Sequence, residues 1–86
     1  MIVTWRRKID KQIARMPLLE QKKFKLLVND IKNKGAIQPG WRNFSSLGKN
    51  KYHCHLSLSW VACWELKDNK IEVEVYYVGS RESAPY

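Results

Sequence analysis

The sequence has few cysteines, few acidic residues and no long apolar run. Its two cysteines, Cys54 and Cys63, cannot form the multiple-disulfide framework that stabilises small secreted domains. No stretch approaches the roughly 18 consecutive apolar residues that a membrane-spanning helix needs. The opening residues MIVTWRRKID contain no apolar core and no small-residue cleavage site, so no secretory signal is expected. These absences predict a cytoplasmic protein whose two thiols are reduced.

Negative charge is scarce in this chain. Eight Asp and Glu residues stand against sixteen Lys and Arg residues, which leaves a net charge of +8 on 86 residues. Such a charge favours polyanionic partners, nucleic acid first, because phosphate contacts release counterions. An acidic protein that covers the basic surface is equally compatible with it, and a basic domain without any polyanionic target is the plainer alternative.

The size and composition of the chain indicate one small folded domain. Apolar residues make up 44% of the sequence, and four Trp, four Tyr and two Phe are among its 86 residues, so the chain is not expected to be disordered. A domain of this length buries only about 60–65% of the surface that its unfolded chain exposes. A deep cofactor cavity would leave too few residues for a hydrophobic core. We therefore expect one domain, 1–86, without a cofactor, whose chemistry lies on an open face.

The first half of the chain has the periodicity of helices. A short strand is expected at residues 2–5. The apolar face of a first helix then comprises Trp5, Ile9, Ile13 and Met16, and that of a second comprises Phe24, Leu27, Val28 and Ile31. Pro17 interrupts the first pattern or opens the second helix, and Gly35 is placed just beyond the end of the second helix. So short a link predicts an αα-hairpin.

The second half of the chain alternates as strands do. Residues 35–48 are rich in Gly, Pro and Ser and predict a loop. Strand patterns follow at residues 49–58, 60–66 and 71–79, with a turn at 67–70. Helices and strands are therefore segregated along the sequence. This order predicts an α+β fold, in which a short N-terminal strand and a helical hairpin pack on one face of an antiparallel sheet of three to four strands.

The segment KNKYHCHL, residues 49–56, is the candidate functional strand. Successive side chains of a strand point to opposite faces. The apolar face, expected to meet the helices, comprises Tyr52, Cys54, Leu56 and Leu58, and the open face comprises Lys49, Lys51, His53, His55 and Ser57. Cys54 is then a small buried hydrophobe. Ammonium and imidazole groups in one row could face phosphate and move protons near neutral pH.

Two other interpretations of this row stay open. His53 and His55 could ligate one metal ion from alternate strand positions. Zinc would then need a third or fourth ligand, which only Cys63 or a glutamate could supply. The row could also be an ordinary solvated face of the sheet.

The last predicted strand extends the candidate site. Its core face comprises Ile71, Val73 and Val75, with Glu72 and Glu74 on the opposite face. If this strand pairs near the middle of the sheet, its end brings Arg81 and Tyr86 close to the lysine and histidine row. That arrangement would gather a guanidinium, ammonium groups, imidazoles and a phenol on one basic face.

The order of elements and two segments resemble the RelE/ParE superfamily of toxins from type II toxin–antitoxin systems. The segments are LGKNKYHCHL and WVACWELKDNKIEVEVYYVGSRESAPY. In that family a basic or polar strand precedes a hydrophobic strand, a charged turn, an aliphatic strand and a VG-x-R ending with a nearby tyrosine. Here the ending is Val78-Gly79-Ser80-Arg81, and the tyrosine is Tyr86. The resemblance covers nearly the whole chain and is strongest with the RelE-like subgroup.

The resemblance implies an activity and a partner. RelE-like members cut mRNA, commonly on the ribosome and without a metal. The RNA 2′-OH would attack its own 3′ phosphate and leave a 2′,3′-cyclic or 3′-phosphate and a 5′-OH, which requires a base, an acid and cations around the phosphate. The partner would be a small antitoxin, for example of helix-turn-helix type, that covers the basic face or displaces the C-terminal tail.

The resemblance assigns roles only where positions match. The candidate catalytic residues are Lys49, Lys51, His53, His55, Arg81 and Tyr86, and the candidate RNA-binding residues are Arg42, Lys49, Lys51 and Arg81. Arg81 would stabilise charge on the phosphate, and Tyr86 would stack on a base or assist proton transfer. The two lysines would bind phosphate and could serve as base. The two histidines depart from the arginine-rich pattern of the family, which leaves open which residue is base and which is acid.

Two other functions stay open. A ParE-like toxin shares the fold without an RNA-cutting set of residues and acts on DNA gyrase. A basic RNA-binding module without catalytic activity is the third alternative.

Overall fold

The computed structural model describes residues 1–86. Its elements are β1 (Ile2–Trp5), α1 (Arg7–Arg15), α2 (Leu18–Lys34), β2 (Ser45–Gly48), β3 (Lys51–His55), β4 (Trp60–Leu66) and β5 (Glu72–Ser80). The two helices and the four strands that follow them are segregated, which confirms the α+β class. Neither helix combines the length and the apolar composition needed to span a bilayer.

The five strands form one sheet in the order β1-β5-β4-β3-β2. Neighbouring strands are antiparallel except β1, which runs parallel to β5 with Ile2 opposite Glu72 and Trp5 opposite Val75. The sheet is therefore mixed and has five strands, whereas the sequence predicted an antiparallel sheet of three to four. β5 lies between β1 and β4, so the last strand is an interior one.

The additional strand is β2, within residues 35–48, where the sequence predicts a loop. Its segment SSLG has no alternation of apolar and polar residues, so the pattern gives no strand signal. Pairing with β3 depends on the tight connection between them, in which Gly48 and Asn50 have φ of 134° and 59°. Lys49 consequently lies in this turn, not in the strand where the sequence placed it.

The helical hairpin covers one face of the sheet. Met16 and Pro17 both have extended backbone, and this break separates α1 from α2. Gly35 ends α2 with φ of 99°, a left-handed conformation that glycine adopts without a Cβ clash. Both features agree with the predicted positions of the break and of the helix end.

The core lies between the helices and the inner face of the sheet. Its residues include Ile9, Met16, Phe24, Leu27, Val28 and Ile31 from the helical hairpin and Cys54, Leu56, Ala62, Trp64, Val73, Val75 and Val78 from the sheet. Trp64 is fully buried and donates its indole N–H to the Ala36 carbonyl over 2.9 Å. Two predicted core residues are exposed, Leu58 by 63% and Ile71 by 59%. Leu58 lies in the loop after β3, and Ile71 precedes β5, so neither is held against the helices.

One extra residue in β5 changes which side chains face the core. Trp64 pairs with Val75 and Cys63 with Tyr77, so Tyr76 is the additional residue of a β-bulge. Val75 and Val78 are both buried in the core, on either side of two consecutive tyrosines. The two tyrosines lie on the face of the sheet away from the helices, which we call the outer face.

Candidate active site

The outer face of β3 carries both histidines, as the sequence predicted. His53 lies opposite Cys63 of β4, and His55 lies opposite Val61. The two imidazole rings have centroids 5.7 Å apart. Their alternate positions on one strand bring them side by side, while Cys54 between them is buried among the core residues.

The two histidines are covered rather than open, contrary to the prediction. His53 and His55 are only 8% and 7% exposed. The Tyr86 ring lies with its centroid 4.4 Å from that of His53. From β2, the Ser45 hydroxyl lies 3.0 Å from His53 Nδ1. These two groups belong to other elements, Ser45 to β2 and Tyr86 to the C-terminal residues, so alternation along β3 gave no sign of them.

Hydrogen bonds after β5 direct the C-terminal tail, residues 81–86, across the outer face. The Arg81 backbone N–H donates to the Ser59 carbonyl over 2.7 Å, which ties the tail to the loop between β3 and β4. The Ala84 N–H donates to the Arg81 carbonyl over 3.3 Å and turns the chain back. Tyr86 thereby reaches His53 and remains 52% exposed. The structure thus brings Arg81 and Tyr86 to the histidines.

Burial and positive charge keep both imidazoles neutral near pH 7. Burial is the main cause that lowers the pKa of His55 below 6.5, followed by the charges of Arg81 and Arg42, against a backbone hydrogen bond with Ser57 that raises it. Burial also leads in lowering the pKa of His53, followed by repulsion from His55, against a hydrogen bond with Ser45. A neutral imidazole keeps one nitrogen able to accept a proton. Both rings can therefore act as bases at neutral pH.

His55 Nδ1 is the one fully buried side-chain nitrogen or oxygen without a hydrogen-bond partner. Buried polar atoms nearly always have partners, and an exception calls for a functional or structural explanation. The backbone N–H of the same residue donates to the Arg42 carbonyl over 2.8 Å, so the strand itself is well anchored. The ring nitrogen Nδ1 is thus left without a partner on a strand whose backbone is fixed.

The two candidate lysines lie at the margin of this cluster. Lys49 is exposed in the β2–β3 turn. Lys51 begins β3, opposite Glu65, and its Nζ lies 5.6 Å from the centre of the Tyr76 ring. The residues that the structure does bring together are Arg42, His53, His55, Arg81 and Tyr86.

Carboxylates occupy the other end of the outer face. Lys67 Nζ lies 3.0 Å from Glu74 and 3.8 Å from Glu65, and Arg6 Nε lies 3.6 Å from Glu74. These ion pairs neutralise the basic side chains there. A polyanion is therefore attracted to the histidine end of the face and not to the β4–β5 turn.

Two further groups lie beside the histidines: Cys63, which the sequence suggested only as a possible metal ligand, and Tyr76, which it did not suggest. Burial raises the pKa of the Cys63 thiol to about 12, against a hydrogen bond with Tyr76 that lowers it. Burial is also the main cause that raises the pKa of Tyr76 to about 12. Both groups stay protonated at neutral pH, so Cys63 is no thiolate nucleophile. Cys63 immediately precedes the core residue Trp64 in WVACW, so the alternation of this strand indicates that Cys63 faces outward.

The metal interpretation of the histidine pair lacks the necessary ligands. No group of three or more His, Cys, Asp or Glu side chains is arranged to hold a metal ion. Zinc sites in proteins use at least three protein ligands.

Acidification from pH 7.5 to pH 5.5 should destabilise the fold. Both histidines have a lower pKa in the folded chain, so the unfolded chain takes up more protons as the pH falls through 6.5. The free energy of unfolding then decreases, and we expect the thermal unfolding midpoint to fall by a few degrees. The chain has only these two histidines, so a His53→Gln/His55→Gln variant should have a flatter profile in this window. Equal pH dependence in both proteins would contradict the lowered pKa values.

No protein-family model matches the sequence, and no protein of curated function matches it. Its fold matches solved structures of toxins. Toxin RelE of E. coli, in complex with an antitoxin RelB peptide, has a TM-score of 0.75 at 16% identity, over 95% of this chain and 84% of that chain. The RelE–RelB complex of the archaeon Pyrococcus horikoshii has a TM-score of 0.74 at 9% identity, over 96% and 97%. A metal-bound toxin from Helicobacter pylori has a TM-score of 0.72 at 17% identity, over 95% and 96%.

At sequence identities this low, the structural similarity shows that the fold is shared. The architecture of this chain is that of the RelE-type toxins, which the resemblance of its sequence predicted.

Proposed function

We propose that this chain is the toxin of a type II toxin–antitoxin pair, a member of the RelE/ParE superfamily, and that it cleaves mRNA in the cytoplasm. The observation that supports this proposal best is the convergence of imidazole, guanidinium and phenol groups on the outer face of β3. There a buried ring nitrogen of His55 has no hydrogen-bond partner, and the charges of Arg81 and Arg42 act on the ring. The net charge of +8 supports a polyanionic substrate.

In the proposed reaction, a ring nitrogen of His55 accepts the proton of the RNA 2′-OH. The 2′ oxygen then forms a bond to the adjacent phosphorus, and the bond from phosphorus to the 5′ oxygen breaks. The guanidinium groups of Arg81 and Arg42 stabilise the charge that develops on the phosphate oxygens. The products are a 2′,3′-cyclic phosphate and a 5′-OH.

Tyr86 is our proposed proton donor to the departing 5′ oxygen. Burial is the main cause that raises its pKa, against the charge of Arg81, so the phenol stays protonated at neutral pH. An alkoxide is a far stronger base than a phenolate, so the proton transfer is favourable once the phosphorus–oxygen bond lengthens. His53 positions the donor by contact of the two rings.

RNA must reach a site that the tail covers. Tyr86 is half exposed, and its own backbone makes no hydrogen bond beyond the one that Ala84 donates to Arg81. Movement of Tyr86, which contacts the His53 ring, would let the substrate reach the histidine pair from that side. The two exposed lysines at the margin, Lys49 and Lys51, would then hold flanking phosphates of the same strand.

Defined RNA oligonucleotides test the proposed chemistry. Cleavage sites are first mapped by primer extension on a translated reporter mRNA after induction in a bacterium. An oligonucleotide with a single 2′-deoxy nucleotide at the cleaved position should resist the protein, since it lacks the nucleophile. The same substitution two nucleotides away is the control and should leave cleavage unchanged. We expect cleavage to persist in EDTA and to leave 5′-OH ends, which ligate only after treatment with a kinase.

Other outcomes would assign another function. Cleavage of the 2′-deoxy oligonucleotide would exclude 2′-OH attack. Growth arrest with intact mRNA and with DNA breaks would favour a ParE-like toxin of DNA gyrase. RNA binding without cleavage or arrest would favour a basic binding module.

A cognate antitoxin belongs to the proposal. Both RelE structures described above are complexes, one with RelB and one with a RelB peptide. A protein that arrests growth needs a neutralising partner in its own cell. Coexpression of a small acidic protein encoded beside this chain should therefore abolish the arrest and copurify with it.

A further inference from the structure

Two neighbouring cavities lie where the start of β4 meets the end of β5, and they share a wall made of Trp60 and Ser80. Arg81 connects them to the candidate active site. The first, of about 310 Å³, is also lined by Gln12, Arg15, Tyr77 and Ser83. The second, of about 420 Å³, is also lined by Leu58, Ser59, Arg81 and Glu82. We call the two together the Trp60 cleft. The proposed reaction uses none of its lining except Arg81.

The wall of the Trp60 cleft is held by backbone pairing and by the packing of the Tyr77 side chain over Gly79. Trp60 begins β4 and lies opposite Ser80 at the end of β5. The Tyr77 hydroxyl donates to the Ser80 carbonyl over 2.7 Å. A Cβ on Gly79 would lie 2.8 Å from that hydroxyl oxygen, so glycine is what allows the Tyr77 side chain to lie across the strand. The wall is therefore preformed.

The lining combines an aromatic surface with hydrogen-bond donors. Trp60 packs against the core with part of its surface and is only half buried, so the remainder faces the cleft. The Gln12 side-chain oxygen accepts from the Val78 N–H over 3.1 Å, which fixes the side chain and leaves its amide N–H groups free to donate. Arg15 is exposed beside it. Indole faces stack on nucleobases, and amide and guanidinium groups donate to the acceptors on base edges.

We propose that the Trp60 cleft binds the nucleobase next to the scissile phosphate and so sets the sequence preference of cleavage. This inference rests on the proposed function, because it assumes an RNA substrate at the histidines. Arg81 belongs to both sites: it lines the cleft, and its charge acts on His55. A phosphate held by Arg81 places its neighbouring nucleoside within reach of Trp60. The base stacks on the indole while its edge accepts from Gln12 or Arg15.

The test measures base preference as well as rate. Cleavage sites are mapped for the wild type, and oligonucleotides that carry each of the four bases at the flanking position are then compared. We expect Trp60→Leu, which keeps an apolar side chain against the core, to lower kcat/KM for the preferred base about tenfold. Its kcat/KM for the other bases should stay near the wild-type value, so that the preference disappears. Trp60→Phe should retain most of the preference because it can still stack.

Arg15→Gln provides a variant that does not touch the core, in case Trp60→Leu fails to fold. It should lower the preference severalfold, whereas Arg7→Gln, an exposed arginine at the other end of α1, should leave it unchanged. An unchanged base preference in a folded Trp60→Leu variant and in Arg15→Gln would overturn the inference. Loss of antitoxin binding with an intact base preference would assign the cleft to the protein partner instead.

The two proposals can fail separately. If the wild type cuts RNA and these variants keep its preference, only the Trp60 cleft is refuted. If the wild type cuts no RNA, the proposed function fails. The affinity for uncleavable 2′-deoxy trinucleotides then tests separately whether the Trp60 cleft binds a base. Equal affinity of the wild type and Arg15→Gln for those trinucleotides would refute it there too.

Discussion

Replacing Arg81 by alanine should slow RNA cleavage about a hundredfold to a thousandfold, the usual cost of removing one donor that stabilises a developing oxyanion. The guanidinium lies close enough to His55 to lower the pKa of that imidazole. The bond that anchors the tail uses the Arg81 backbone N–H, which alanine retains, so the substitution removes charge without releasing the tail. Single-turnover cleavage of a defined oligonucleotide measures the effect.

Two further substitutions make the Arg81 result specific. Arg81→Lys keeps a positive charge but lacks the planar guanidinium, which can donate two parallel hydrogen bonds to a phosphate. It should therefore recover only part of the lost rate. Arg7→Ala removes an exposed arginine from α1, on the other side of the sheet, and should cleave like the wild type. Wild-type cleavage by a folded Arg81→Ala variant would remove this arginine from the mechanism.

His55→Ala should slow cleavage by about a hundredfold to ten-thousandfold, the range expected for a lost general base. The pH dependence supplies a second readout. The base must be neutral, so the wild-type rate should fall only as the pH drops through the lowered pKa of His55, below 6.5. Arg42→Ala removes a positive charge that acts on the ring, which raises that pKa. The decrease in rate at low pH, the acid limb of the profile, should then move to higher pH.

The pH profile of the variants identifies the base. If His55 is the base, the acid limb disappears in His55→Ala and persists in His53→Ala, whose rate falls less because it only positions Tyr86. An acid limb that persists in His55→Ala and vanishes in His53→Ala would transfer the role to His53. Rates that do not change in either variant would contradict histidine catalysis altogether.

The helical hairpin and four of the five strands could be predicted because their signals are local. Phe24, Leu27 and Ile31 recur at helical spacing, and all three are in the core. Gly35 ends α2 where its backbone freedom is needed. Alternation in β3 placed Cys54 inside and the histidines on the other face. Each of these properties depends on residues that are close in sequence, which is what a periodic pattern reports.

The cover over His53 could not be predicted, since it depends on a strand without a sequence signal and on the end of the chain. Ser45 reaches His53 from a strand that has no alternation, and Tyr86 reaches it through a turn after β5. The parallel pairing of β1 with β5 joins the two ends of the chain and has no local signal either. Burial of the histidines, and with it their lowered pKa values, emerges only when these parts meet.

The bulge at Tyr76 makes the site depend on the number of residues in β5 as well as on their identity. Side chains of a strand alternate with a period of two, so one added residue exchanges the faces of everything beyond it. Loss of one residue between Val75 and Val78 would turn that second valine outward and send the chain into the tail from the opposite face. Conversely, relatives without this insertion must be aligned with a one-residue gap here. Without the gap, an alignment would pair Arg81 with a residue that faces the wrong side of the sheet.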